Sequence, residues 1–176
     1  DLRHPFPGPG LGIRVLGPVD DLAWWMTLDD SMSDLLSDRY DMALRISGPP
    51  KDLSAIWHKM VPVARVLVAS PSYLQRRGTP ADAGALQNHN CLGYAHFPNG
   101  PEWHLARKGQ VEIINAKAFC FSCNNGDILA ELASLGEGIA LLPRFIVDER
   151  LKDGALHEIL GDWHAPEIWL SAIYPP

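Results

Sequence analysis

Asn124-Asn125-Gly126-Asp127-Ile128-Leu129-Ala130-Glu131-Leu132-Ala133-Ser134-Leu135-Gly136-Glu137-Gly138-Ile139-Ala140-Leu141-Leu142-Pro143 reads as a capped helix, a glycine turn and a buried strand. Asn124 or Asn125 supplies the N-cap, and Asp127 then lies in the first turn, where a carboxylate favours the positive end of the helix dipole. Ile128, Leu129, Leu132 and Leu135 recur as the apolar stripe of a helix packed on one face. Gly136 and Gly138 end the helix. The apolar run Ile139–Leu142, closed by Pro143, predicts an interior strand of a parallel sheet. A helix start of this kind offers backbone N–H groups to a small anion. The same pattern also suits an ordinary helix-to-strand unit with no ligand.

Working outward, strands are predicted at Ile13–Leu16, Leu22–Leu28, Met42–Ile46, Ile56–Met60 and Val63–Ala69. The last is apolar apart from Arg65 and is therefore placed centrally. Asp29-Asp30-Ser31 caps a helix through Met32, Leu35 and Leu36. Ser70-Pro71 opens another, with serine as cap and proline at the first helical position. Further strands follow at Cys91–Tyr94, Trp103–Leu105, Val111–Ile114 and Ala116–Ser122. A helix over Phe145–Leu151, a turn and strand over Gly154–Leu160, and a strand over Trp169–Tyr174 complete the chain. Residues 1–20, crowded with Pro and Gly, are otherwise irregular. Strands alternating with helices predict an α/β fold with largely parallel pairing. Such sheets bind ligands outside the carboxyl ends of their strands. Those ends are the turns at Asp29–Ser31, Ser70–Ser72 and Cys123–Asn125, all of them polar.

Composition narrows the function. With a net charge of −6 in 176 residues, the surface is unsuited to neutralising phosphates, so this chain alone is not expected to hold DNA or RNA. No apolar run approaches the roughly 20 residues of a membrane span. Three cysteines leave one unpaired in a monomer, which fits a reducing cytoplasm. Cys120 and Cys123 have C-x-x-C spacing, but no second pair completes a metal site, and they read as buried structural cysteines on opposite faces of a strand. The seven histidines show no spacing that sets two on one helix face, although His96 and His104 flank the Phe97–Pro101 loop. Trp24 and Trp25 fall on opposite faces of one strand, one for the core and one for a surface. No nucleophile elbow, Walker loop or dinucleotide fingerprint is present.

Several segments, in order, resemble the effector-binding domain of LysR-type transcriptional regulators. Asp41–Ile46 resembles that family's aspartate-led strand, and Val66–Leu74 resembles the strand crossing from the first lobe to the second. His89–Tyr94 resembles the entry to the second lobe. Asn124–Asp127 with Gly136–Pro143 resembles the family's most distinctive element, and Ile173–Pro175 its return strand. The resemblance covers residues 22–176. It implies a two-lobed, periplasmic-binding-protein-like (type II) fold with two hinge-crossing strands. Lobe one would be residues 1–68 and 165–176, and lobe two residues 69–164. A small effector of unknown identity would sit between lobes, lined by Asp29, Ser31, Ser70, Phe97 and Asn124. Asp29 would repel an anionic effector. A homo-oligomer is expected, with DNA contacted only through a helix-turn-helix absent from this chain, and neither cofactor, metal nor membrane is expected. Between Val15 and Trp24 there is no room for the family's long first helix, and the chain is read as an incomplete effector domain. The competing readings are a small α/β enzyme using Asp29, His96 or Cys123, and a stand-alone solute-binding protein using the same cleft.

Overall fold

The computed structural model describes residues 12–16, 25–29, 42–48, 56–95, 102–115 and 118–174, and for 12–16 and 25–29 the backbone alone. The expected helix through Met32–Leu36, the Ser31 and Phe97 sites, His96 and the side chains of Trp24, Trp25 and Asp29 lie outside what is described. Two compact units divide the chain, one containing Ala64–Pro166 and the other Pro9–Val63 with Glu167–Pro176. Among the described residues the backbone passes from one unit to the other at Val63–Ala64 and returns at Pro166–Glu167.

In the second of these units, β1 (Gly12–Leu16), β2 (Trp25–Asp29), β3 (Met42–Ser47), β4 (Ile56–Val63) and β12 (Ile168–Tyr174) form a sheet ordered β2-β1-β3-β12-β4. Every pairing in it is antiparallel. In the Ala64–Pro166 unit the sheet order is β11-β5-β10-β6-β9, built from β5 (Arg65–Ala69), β6 (Cys91–Tyr94), β9 (Phe119–Cys123), β10 (Ile139–Pro143) and β11 (His157–Ile159). Only β10–β6 and β6–β9 pair in parallel, while β5 runs antiparallel to both β10 and β11. The expectation of largely parallel pairing is therefore corrected. Alternation of helices and strands along the sequence fixes the layers, but β5 and β6 are separated by two strand positions, so nothing local sets their relative direction. The expected strands at Trp103–Leu105 and Val111–Ile114 form, as β7 (Trp103–Arg107) and β8 (Gln110–Ile114), a two-stranded hairpin sheet of their own.

The quoted stretch forms the predicted elements with one exchange of face. α2 (Gly126–Ser134) buries Gly126, Leu129, Ala130 and Ala133, against Leu92, Ala140, Leu142, Ile146 and Val147 of the sheet and of α3 (Arg144–Lys152). Ile128 and Leu135, expected inside, are 48% and 64% exposed. Both stripes are valid helical faces. The one with small residues goes inward because glycine and alanine let the helix approach the sheet closely. Gly136 takes a φ of +87°, and at Gly138 an added Cβ would stand 2.6 Å from the Asn90 carbonyl oxygen. These two positions need glycine, one for its dihedral and one for space. Beyond them β10 is buried throughout and interior, as predicted, although antiparallel to β5 on one side.

Candidate functional site

Strand direction decides which polar turns share an end of the Ala64–Pro166 sheet. Since β5 runs opposite to β6 and β9, its first residue, Arg65, lies at the end where β6 and β9 finish, and its last lies at the other. Ser70 and Asn124, expected to line one pocket, are therefore at opposite ends, on the order of 15 Å apart along five residues of strand. Ser70 is also committed elsewhere. It is buried, and its Oγ caps α1 (Pro71–Arg77), accepting from the Tyr73 amide at 3.3 Å and bonding the Ser72 hydroxyl at 3.1 Å. The cap is as predicted, but the site role is not supported by this position.

That distal end is a closed polar cluster. Arg76 Nη2 donates to the Gly136 carbonyl at 2.6 Å. The Tyr73 hydroxyl accepts from the Asn90 amide at 2.9 Å and lies 3.2 Å from His89 Nδ1. The tautomer of His89 decides which of the two donates in that contact. Burial, then the nearby Arg77 charge, lowers the His89 pKa, and burial raises that of Tyr73.

The proximal end is open. The Ala95 amide donates to the Cys123 carbonyl at 2.9 Å, tying the ends of β6 and β9 together. Asn125, not Asn124, is the cap: its Oδ1 accepts from the Asp127 and Ile128 amides at 2.9 and 3.1 Å, and its carbonyl takes the Leu129 amide. The anion cradle read from the sequence is thereby corrected, because the cap side chain consumes two of the four orphan donors of the first turn. Asn124 is exposed, with its side-chain amide directed to no bond among the described residues. Asp29 ends β2 in the other unit, and Ser31 and Phe97 lie outside the described residues.

Thiol chemistry is disfavoured. Cys120 is exposed and Cys123 half-buried, correcting their reading as buried cysteines: β9 is the edge strand of its sheet and one side of it stays open. Cys91 is the buried thiol, pushed up to about 12 by burial and then by the neighbouring Cys120. Burial also raises Cys120, so neither of these two thiols is a ready nucleophile. Among the described residues no group of three His, Cys, Asp or Glu side chains could hold a metal, and no helix is long and apolar enough to cross a membrane.

Arg65, the one charge in the apolar strand β5, donates through Nη2 to the Pro166 carbonyl at 2.7 Å, and its Nε is buried without a partner among the described residues.

Residues 22–176 match the model of the LysR substrate binding domain family. The chain belongs to that family. An HTH-type transcriptional regulator of Haemophilus influenzae is 35% identical over 147 residues, covering 84% of this chain and 50% of its own. The regulator PtxR of Pseudomonas aeruginosa is 30% identical, covering 99% of this chain and 61% of its own. Among solved structures, full-length AphB of Vibrio cholerae, a virulence activator, superposes with a TM-score of 0.72 at 28% identity, over 85% of this chain and 50% of that one. The CrgA regulatory domain of Neisseria meningitidis gives 0.62 at 28%, over 77% and 66%. The LysR substrate-binding domain therefore has here the α/β, periplasmic-binding-protein-like fold of those regulatory domains. It spans about half the length of the curated regulators it matches.

Proposed function

We propose that this LysR substrate-binding domain senses a small-molecule effector and so modulates promoter binding by a helix-turn-helix carried elsewhere in its regulator, with no chemistry of its own. The observation that carries this reading is the match over residues 22–176 together with relatives named as transcriptional regulators. The exposed Asn124, just past the end of β9, supports a binding role, and the raised thiols of Cys91 and Cys120 disfavour the enzyme alternative. The signal is a population shift, which requires the effector to bind one conformational state more tightly than another.

A thermal-shift screen of small carboxylates, aromatic acids and amines tests it. At least one class should raise Tm saturably, as binding to the native state demands, and Asn124→Ala should weaken that response. Turnover of a compound by the purified chain would sink the reading.

Self-association belongs to the same proposal. Ile128, Leu135 and Phe121 are exposed, and Phe121 and Leu135 line a cavity of about 420 Å³ together with Leu92, Leu132, Asn90 and Glu137. A cluster of exposed apolar side chains of this kind marks an interaction surface. Leu135→Glu should shift sedimentation towards the monomer without lowering Tm; unchanged sedimentation would place the interface elsewhere.

A further inference from the structure

β4 is the last strand in the order β2-β1-β3-β12-β4, and among the described residues it pairs with β12 alone. A strand in that position presents a row of backbone donors and acceptors to any other extended chain. Its side chains add to the hazard, since Ile56, Met60 and Val61 are 42%, 50% and 53% exposed. Every copy of the chain carries the same edge, so a second copy is the competitor always at hand.

Three features of this strand work against such pairing. In register with β12, Val61 stands opposite Leu170 and Lys59 opposite Ser171, so Met60 is an extra residue, a bulge that bends the edge. Pro62 has no N–H to give to a neighbour. Lys59 is the third, and its placement is the most particular. Its ammonium lies 4.8 Å from the centre of the Trp57 ring and 4.9 Å from that of Trp169. Trp57 comes two positions before Lys59, and Trp169 two before Ser171, the cross-strand partner of Lys59. All three side chains therefore rise from one face of the sheet. Both indoles are half-buried and Lys59 is exposed. Attraction to two ring faces holds in place a side chain that is otherwise free to swing away. A strand added to β4 would meet that fixed cation where it needs an apolar or acidic neighbour, and a second β4 brings the same cation with it.

We propose that Lys59, lodged over Trp57 and Trp169, guards the edge of β4 against pairing with the β4 edge of a second copy of this chain. The bulge and the proline weaken the edge as a template, and the held charge opposes what is left of it. This surface is separate from the α2 patch, and the inference is independent of the effector-sensing reading.

The test is sedimentation velocity of the whole chain over a wide range of concentration. Every variant also carries Leu135→Glu, which takes association through α2 out of the comparison, and the parent carries that change alone. Lys59→Thr, which removes the charge and favours a strand, should self-associate about fivefold more tightly than the parent or more. Lys59→Arg, which keeps a cation over the two indoles, should match the parent. Val61→Lys added to Lys59→Thr returns a charge to the same edge and should restore the parent's sedimentation. Lys59→Gln, which keeps most of the stem over the rings, replaces Lys59→Thr if that variant loses its near-UV circular dichroism. Unchanged association on loss of the charge overturns the proposal. So does association that Val61→Lys leaves intact or that Lys59→Arg shares.

Discussion

The two ends of the Ala64–Pro166 sheet both carry polar turns, and they spend them in opposite ways. At the distal end Ser70, Ser72, Arg76, Tyr73, His89 and the Gly136 carbonyl satisfy one another. At the proximal end Asn124 is exposed, and the Nε of the half-buried Arg65 has no partner among the described residues. Closed polar clusters rigidify a fold, and unsatisfied ones mark places where a ligand completes the set. Polarity of a turn in sequence is therefore a poor guide to function until its partners are known.

The largest effect expected on this contrast comes from Gly138→Ala. The new Cβ would press on the Asn90 carbonyl oxygen, which also accepts the Ile139 amide at 2.9 Å. Backbone on both sides leaves little room to relax, and about 3 kcal/mol of stability should be lost in urea melts. A cost below about 1 kcal/mol would show the distal cluster to be looser than described.

Ser70→Ala should cost about 1 kcal/mol through loss of the α1 cap, with effector affinity unchanged. Asn124→Ala should do the reverse, moving Tm by no more than surface substitutions do, about 0.5 kcal/mol, while weakening the effector response. If Ser70→Ala instead abolished binding at unchanged stability, the assignment of the two ends would be inverted.

Protonation gives the smallest effect. The folded pKa of His89 is lowered, so its contribution is present above the unfolded value of about 6.5 and is lost as pH falls below it towards the folded value. Urea midpoints from pH 7.5 to 5 should decline more for the unmodified chain than for His89→Asn, which keeps an acceptor facing Tyr73 but does not titrate. Parallel curves would assign the pH dependence to another group. Thiol labelling sharpens the picture separately: iodoacetamide should reach Cys120 in the native chain and Cys91 only on unfolding.

Most elements were legible because their signals are local. Ser70-Pro71 announces a helix start, Gly136 and Gly138 announce a turn, and Ile139–Leu142 announces burial, each through neighbours within a few residues. The site was less legible. Ser70 was grouped with Asn124 on the assumption that β5 and β9 run the same way, and one reversed strand moved it to the far end of the sheet. On α2 the stripe Ile128, Leu129, Leu132 and Leu135 was taken as the buried one; Leu129 is buried and Leu132 packs against the core as expected, whereas Gly126, Ala130 and Ala133 turn inward in place of Ile128 and Leu135. Arg65 stood out in its strand from the start, yet its bond to the distant Pro166 carbonyl appears only in three dimensions.

Sequence alone therefore determined the order of helices and strands, their caps, the family and the class of fold, since these depend on contacts between residues close along the chain. Strand direction within the sheet, the inward face of α2 and the partners of each polar side chain were decided only in three dimensions. They depend on contacts such as Arg65 with Pro166, 101 positions away, and no local pattern encodes which distant segment will satisfy or abandon a given group.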